Sequence, residues 1–70
     1  MTITTYTEFI DLAGNQVAVR ATDGRSSHIH CANLRRQDKR FPSPHLDAAM
    51  SRKVSEALIK FAEETDARRT

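Results

Sequence analysis

The sequence predicts an α+β domain in which a three-stranded antiparallel meander is covered on one face by a C-terminal helix. Residues 2–34 are rich in β-branched residues and contain two glycine turns, which is typical of a meander. Residues 43–67 place apolar side chains at the spacing of one helix face. Between them, residues 35–42 predict a basic loop. The 70 residues together suffice for a single small domain.

The first strand is expected within residues 2–12. Its alternation of apolar side chains shifts near residues 9–10, as a β-bulge or a strand end requires. A turn follows at Gly14 and Asn15, because both residue types tolerate positive φ.

The second strand, residues 16–21, alternates regularly and directs Val17 and Val19 to one face. The pair Asp23-Gly24 that follows is a strong hairpin signal, because both residues accept the backbone of a tight turn. A third strand is therefore expected to pair antiparallel with the second.

The third strand carries two histidines on one face. Alternation places His28 and His30 together, roughly 7 Å apart, and Cys31 on the opposite face. A structural zinc site needs four ligands and a catalytic site three, so two histidines are too few. We expect two solvated histidines and no metal or other cofactor.

The helix is expected to begin with Ser43 as its N-cap and Pro44 in the first helical position, where the missing N–H of proline costs nothing. Its apolar side chains recur about every 3.6 residues and should face the sheet. They are Leu46, Met50, Val54, Ala57, Leu58 and Phe61.

One large apolar residue of the helix, Ile59, projects away from this stripe. It shares a lane with Ala48, Ser55 and Ala62, whose short side chains would let another surface approach closely. A single exposed isoleucine is common on protein surfaces. However, small domains without disulfides often gain burial by oligomerising, so this Ile59 lane predicts a homodimer or a second partner contact.

The chain is predicted not to be an enzyme. Cys31 is expected to pack as a small buried residue, and buried cysteines are usually inert. Serines near histidines lack a third, orienting group. Both glycines are explained by turns, which leaves no glycine-rich phosphate loop.

The basic loop is the segment whose residues are least explained by a strand, a turn or a helix. Four cations, Arg35, Arg36, Lys39 and Arg40, stand beside Phe41. Arginine and aromatic side chains are enriched at protein interfaces, and arginine binds carboxylates in bidentate fashion. The same cations could bind phosphates of nucleic acid. We predict that these five residues contact the partner.

The order of three strands and a helix resembles the small DNA-binding domains of phage-type integrases and AP2-like proteins, in which the sheet enters the major groove. That resemblance implies DNA contact through the outward sheet face, which offers Arg20, His28 and His30. The helix carries several acidic side chains that would repel phosphate. DNA binding is therefore our second interpretation.

In size and single-domain design, and in its lack of catalytic apparatus, the chain is similar to the cytosolic proteins that bacteriophages and mobile elements use to inhibit host machinery. Anti-CRISPR proteins and anti-activators of transcription regulators are examples. This resemblance implies a binding protein that occludes a functional surface of a target protein without turnover, and it is our preferred interpretation.

Charge and composition limit the other possibilities. The net charge of +2 is mild, so the position of the charges matters more than their sum. One cysteine cannot form an internal disulfide, and the first residues lack the pattern of a signal peptide, which favours the cytoplasm. No apolar run approaches the roughly 18 residues that span a bilayer, so no membrane partner is expected.

Overall fold

The computed structural model describes residues 1–33 and 42–68. Three strands, β1 (Ile3–Ile10), β2 (Asn15–Thr22) and β3 (Ser26–Asn33), precede one helix, α1 (Ala48–Arg68). The strands form an antiparallel sheet with β2 in the centre. The helix packs on one face of this sheet, over β1 and β2. The predicted α+β class and the order β-β-β-α are confirmed.

The hairpin between β2 and β3 has the predicted turn at Asp23 and Gly24. Their φ angles are 53° and 67°, and two consecutive positive values are what a type I′ hairpin turn requires. The turn is closed by Arg25, whose N–H donates to the carbonyl of Thr22 at 3.0 Å. The two strands pair without interruption from this turn to their other end.

The pairing of β1 with β2 contains an irregularity at Tyr6, because the register shifts between Thr5 and Thr7. Of the two alternatives predicted near residues 9–10, the strand end is confirmed, since β1 ends at Ile10, and the bulge lies earlier, at Tyr6. Tyr6 and Phe9 both pack against the core, although an odd separation would put them on opposite faces of a regular strand. The extra residue brings both aromatic rings to the helix side.

Tyr6 then connects β1 to the second half of α1. Its ring meets Phe61 edge to face, with the centroids 6.3 Å apart, and its hydroxyl donates to Glu64 Oε2 at 2.7 Å. The hydrogen bond to Glu64 raises the pKa of Tyr6, and burial of the phenol and the negative charge of Glu64 act in the same direction.

The turn between β1 and β2 differs in part from the prediction. Gly14 has a φ of 81°, as expected for a turn glycine. Asn15 does not share this conformation, since Asp23 is the one non-glycine residue with positive φ in the described ranges. Asn15 instead begins β2 and is buried, and its side chain binds Asp11.

The helix begins at Ala48, five residues after the predicted N-cap, so the start at Ser43 is wrong. Asp47 is the N-cap: its carbonyl accepts from Ser51 at 2.9 Å and its Oδ1 accepts from Met50 N–H at 2.8 Å. Residues 42–47 stay outside the helix because the backbone of His45 bonds to the β1–β2 turn instead.

The core between helix and sheet is small. Val54 and Ala57 of α1 are buried against Val19, and the remaining members of the predicted apolar stripe are partly buried. The largest fully buried side chains are two valines. Six large apolar residues are exposed in the described part of the chain. They are Met1, Ile3, Ile10, Leu12, Ile29 and Ile59.

Candidate binding surface

Helix α1 covers β1 and β2 on one face of the sheet but leaves the same face of β3 uncovered. Val19 on β2 and Ile29 on β3 are partners in the sheet register, so their side chains lie on the same face. Val19 is 0% exposed beneath α1, whereas Ile29 is 46% exposed. The apolar face of the sheet therefore continues beyond the edge of the helix.

A cleft of about 420 Å³ lies along this uncovered strand. Its lining is mostly apolar and combines β3 with the segment that leads into the helix. The lining residues are His28, Ile29, His30, Cys31, Pro42 and Pro44. The volume lies at the lower end of the range found for ligand pockets, so the cleft has room for one or two side chains of a partner.

A buried carboxylate holds one wall of this cleft in place. Asp11 is 5% exposed, and its Oδ2 accepts from the backbone N–H of His45 at 2.8 Å. In return, Leu12 N–H donates to the carbonyl of His45 at 3.0 Å. These bonds attach the segment containing Pro44 to the β1–β2 turn, across 34 residues of sequence.

The same carboxylate also organises its own turn. Its Oδ1 accepts from Ala13 N–H at 2.9 Å and from Asn15 N–H at 2.8 Å, and Asn15 Nδ2 donates to Oδ2 at 3.1 Å. Burial alone would raise the pKa of Asp11, but the hydrogen bonds from His45, Asn15 and Ala13 outweigh it and lower the pKa to about 2. Asp11 is therefore ionised at neutral pH.

The predicted contact residues of the basic loop, Arg35, Arg36, Lys39, Arg40 and Phe41, lie outside the described residues. Their place in the chain is nevertheless informative. The segment 34–41 connects the end of β3 to Pro42, and both β3 and Pro42 line the cleft. The cleft lining thus includes Pro42, which directly follows the basic segment in sequence, and residues of the strand that precedes it.

The predicted lane on the helix is exposed, as expected. Ile59 is 57% exposed, and Ala48, Ser55 and Ala62 are exposed as well. The stripe that faces the sheet lies on the other side of α1. No residue of the described chain covers the lane.

The register places His30 opposite Ala18 and Cys31 opposite Val17, which confirms that the histidines and the cysteine face different sides of the sheet. Within the described residues, no group of three or more His, Cys, Asp and Glu side chains could hold a metal ion. Burial raises the pKa of the Cys31 thiol, and the negative charge of Asp11 adds to this. The thiol is therefore a poor nucleophile.

The outward sheet face, which the DNA interpretation uses, carries an acidic residue beside its arginine. Arg20 lies 3.7 Å from Glu8 Oε2, and Gln16 Nε2 donates to Glu8 Oε1 at 2.6 Å. Because Glu8 sits beside Arg20, the attraction of this face for phosphate is reduced. The sequence pattern did not reveal this pair, since the strand register determines it.

Two features of the surface were not predicted from sequence, namely the cleft and the carboxylate that fixes its wall. An aspartate followed by Leu-Ala-Gly-Asn is a signal for an Asx turn, but not for a bond to a residue far along the chain. No helix among the described residues combines the length and apolarity needed to cross a membrane. No family model, curated protein or solved structure matches this chain.

Proposed function

We propose that the protein is a small non-enzymatic binding protein that inhibits or regulates another protein by covering one of its functional surfaces. The observation that supports this best is the uncovered face of β3, where Ile29 lies beside Pro42 and Pro44 in a cleft. The chain combines an apolar cleft with an arginine-rich sequence segment, and apolar and arginine side chains are two classes of residue that are enriched at protein interfaces.

In this proposal the two parts of the surface have different tasks. The cleft takes an apolar side chain of the partner, which is the usual role of a buried anchor at the centre of an interface. Arg35, Arg36 and Arg40 bind carboxylates around this anchor, with Lys39 adding charge and Phe41 supplying a second apolar contact. The partner surface should therefore be acidic, with an exposed apolar residue.

The cellular setting is part of the same proposal. We place the protein in the cytoplasm, where the phage- and mobile-element-encoded inhibitors that it resembles act. Such a protein needs a stable interface and no turnover, and the inert environment of Cys31 agrees with that requirement.

We also propose that the protein forms a homodimer through the Ile59 lane. The small core and the exposed apolar side chains give a reason for association, because a 70-residue chain buries too little apolar surface to be very stable alone. A dimer would present two partner-binding surfaces.

DNA binding through the basic segment is the alternative, and the four closely spaced cations favour it. Such a site should lose affinity with a log-log slope of about −3 to −4 as salt rises, because each phosphate contact contributes about −0.9. A gel-shift assay with mixed duplex DNA at low salt tests it. Binding at micromolar protein with that slope would replace our proposal.

The experiment that tests the protein-binding proposal is affinity capture from the source cells, followed by reconstitution with the purified partner. The triple variant Arg35→Ala, Arg36→Ala, Arg40→Ala should lose the reconstituted complex while its thermal melting stays nearly unchanged. If the triple variant and Ile29→Ser both still capture the partner, the interface lies elsewhere.

A further inference from the structure

The outer face of α1 carries opposite charges at equal distances on the two sides of Ile59. Arg52 lies seven residues before Ile59 and Asp66 seven residues after it, and all three side chains are exposed. Seven residues are close to two helical turns, so each charge lies about 10.5 Å along the axis from Ile59 and on nearly the same line. This line is antisymmetric in charge about its centre, whereas the line beside it carries two exposed acidic residues, Glu56 and Glu63.

Neither charge has a partner within the described part of the chain. The ion pair there, between Arg20 and Glu8, is on the other side of the sheet from the helix. The lane of Ala48, Ser55 and Ala62 runs beside the line from Arg52 to Asp66, again at intervals of seven residues. Short side chains at this interval allow a second helix to approach closely.

A second copy of α1 fits this pattern in one orientation. If two helices pack antiparallel with Ile59 against Ile59, each Arg52 lies beside the Asp66 of the other copy, because both are displaced by the same amount. In the same pair, Ser55 of one copy lies opposite position 63 of the other copy, one residue from Ala62. In a parallel pair, Arg52 would meet Arg52 and Asp66 would meet Asp66, which is repulsive at both ends.

We propose that two copies of this chain associate through an antiparallel pair of α1 helices centred on Ile59, with two symmetric ion pairs between Arg52 and Asp66. This inference rests on the homodimer proposed above and specifies its interface. The twofold arrangement brings the same surface of both subunits together, as most homodimers do. Apolar contact at Ile59 supplies affinity, and the ion pairs determine orientation and register.

The test is sedimentation equilibrium on the full chain and its charge-reversal variants. Wild type should have the mass of two chains. Ile59→Glu should raise the dissociation constant by about a hundredfold or more, because it replaces the apolar centre with like charges. Arg52→Asp and Asp66→Arg should each raise it by about tenfold at low salt. The double reversal R52D/D66R should restore the wild-type value.

The control variant is Lys60→Asp, which makes the same change of charge outside the lane and should leave the dissociation constant unchanged. Circular dichroism melting of each variant separates loss of association from loss of folding. Sulfhydryl cross-linking adds an independent reading: a mixture of Arg52→Cys and Asp66→Cys chains should give cross-linked pairs, whereas Arg52→Cys alone should not.

A wild-type mass of one chain at concentrations of hundreds of micromolar would overturn the proposal. So would a dimer that the double reversal fails to restore, or one that Arg52→Cys alone cross-links. These outcomes are distinct from failure of the partner-binding proposal, because the triple arginine variant of segment 34–41 leaves the helix surface intact and should remain dimeric.

Discussion

The two halves of the sheet differ in what lies on their common apolar face. Over β1 and β2, helix α1 excludes water, and Val19 is fully buried. One strand further, Ile29 faces the same side and is half-exposed, with the two prolines of the cleft beside it. Neighbouring apolar residues in one row of a sheet thus have different environments: Val19 belongs to the core, and Ile29 is exposed to solvent.

The largest expected effect comes from the covered half. Val19→Ala should lower the free energy of unfolding by about 2 kcal/mol, because it removes two methyl groups from a site without solvent access and leaves a cavity. That is a large part of the roughly 3 to 5 kcal/mol expected for so small a core. Urea denaturation measures it. If Val19→Ala lowers the free energy of unfolding no more than Ile29→Ala does, the assignment of the core is contradicted.

The next effect concerns Asp11, which attaches the segment before the helix to the β1–β2 turn. Asp11 has a pKa of about 2 in the folded protein and 3.8 as a free side chain, so its hydrogen bonds stabilise the fold fully above about pH 4. This contribution should disappear as the pH falls from about 4 to about 2. Melting temperature measured across that range should fall for wild type.

Asp11→Asn should melt at a lower temperature at neutral pH and depend less on pH in the same interval, because its amide cannot replace the ionised acceptor. Glu63→Gln, a change at an exposed carboxylate of α1, is the matched control and should keep the wild-type profile. Equal profiles for wild type and Asp11→Asn would show that His45 is not held by this carboxylate.

A smaller effect is expected at the other end of the covered half, where Tyr6 donates to Glu64. The pKa of Tyr6 is raised in the folded protein. Its hydrogen bond therefore contributes fully to stability below the ordinary tyrosine pKa of 10.0, and this contribution is lost as the pH rises through the pKa of the folded state. Tyr6→Phe should therefore reduce stability modestly at neutral pH and weaken the alkaline dependence. Denaturant melts at neutral and alkaline pH measure both changes.

The smallest effect on stability should come from the uncovered half. Ile29→Ser removes a half-exposed side chain and should change the free energy of unfolding by less than about 1 kcal/mol. Urea denaturation of Ile29→Ser and Val19→Ala under the same conditions measures the two losses of stability. A loss as large as that of Val19→Ala would mean that Ile29 is needed for the fold and is not free for a partner.

The features that the sequence predicts well are those determined by neighbouring residues. Asp23-Gly24 forms its turn because of local backbone preference, and the stripe through Val54 and Ala57 faces the sheet because helix periodicity is regular. The exposed position of Ile59 follows from the same periodicity.

Features that depend on distant contacts were missed. Ser43 and Pro44 have the local properties of a helix start, but the bonds from His45 to the β1–β2 turn keep that segment outside the helix and leave Asp47 as the cap. The irregularity at Tyr6 likewise accompanies a contact between residues far apart in sequence, the rings of Tyr6 and Phe61. The cleft exists because α1 covers two strands of three, which no local pattern indicates.

The central claim is that the uncovered side of β3 contacts the partner, and titration of the purified partner with matched surface variants tests it most directly. Ile29→Ser and Ile10→Ser remove isoleucines of similar exposure, 46% and 51%, from opposite faces of the sheet. We predict that Ile29→Ser raises the dissociation constant by about tenfold or more, equivalent to about 1.4 kcal/mol, while Ile10→Ser leaves it unchanged. An unchanged dissociation constant for Ile29→Ser, or an equal loss for both variants, would contradict the claim.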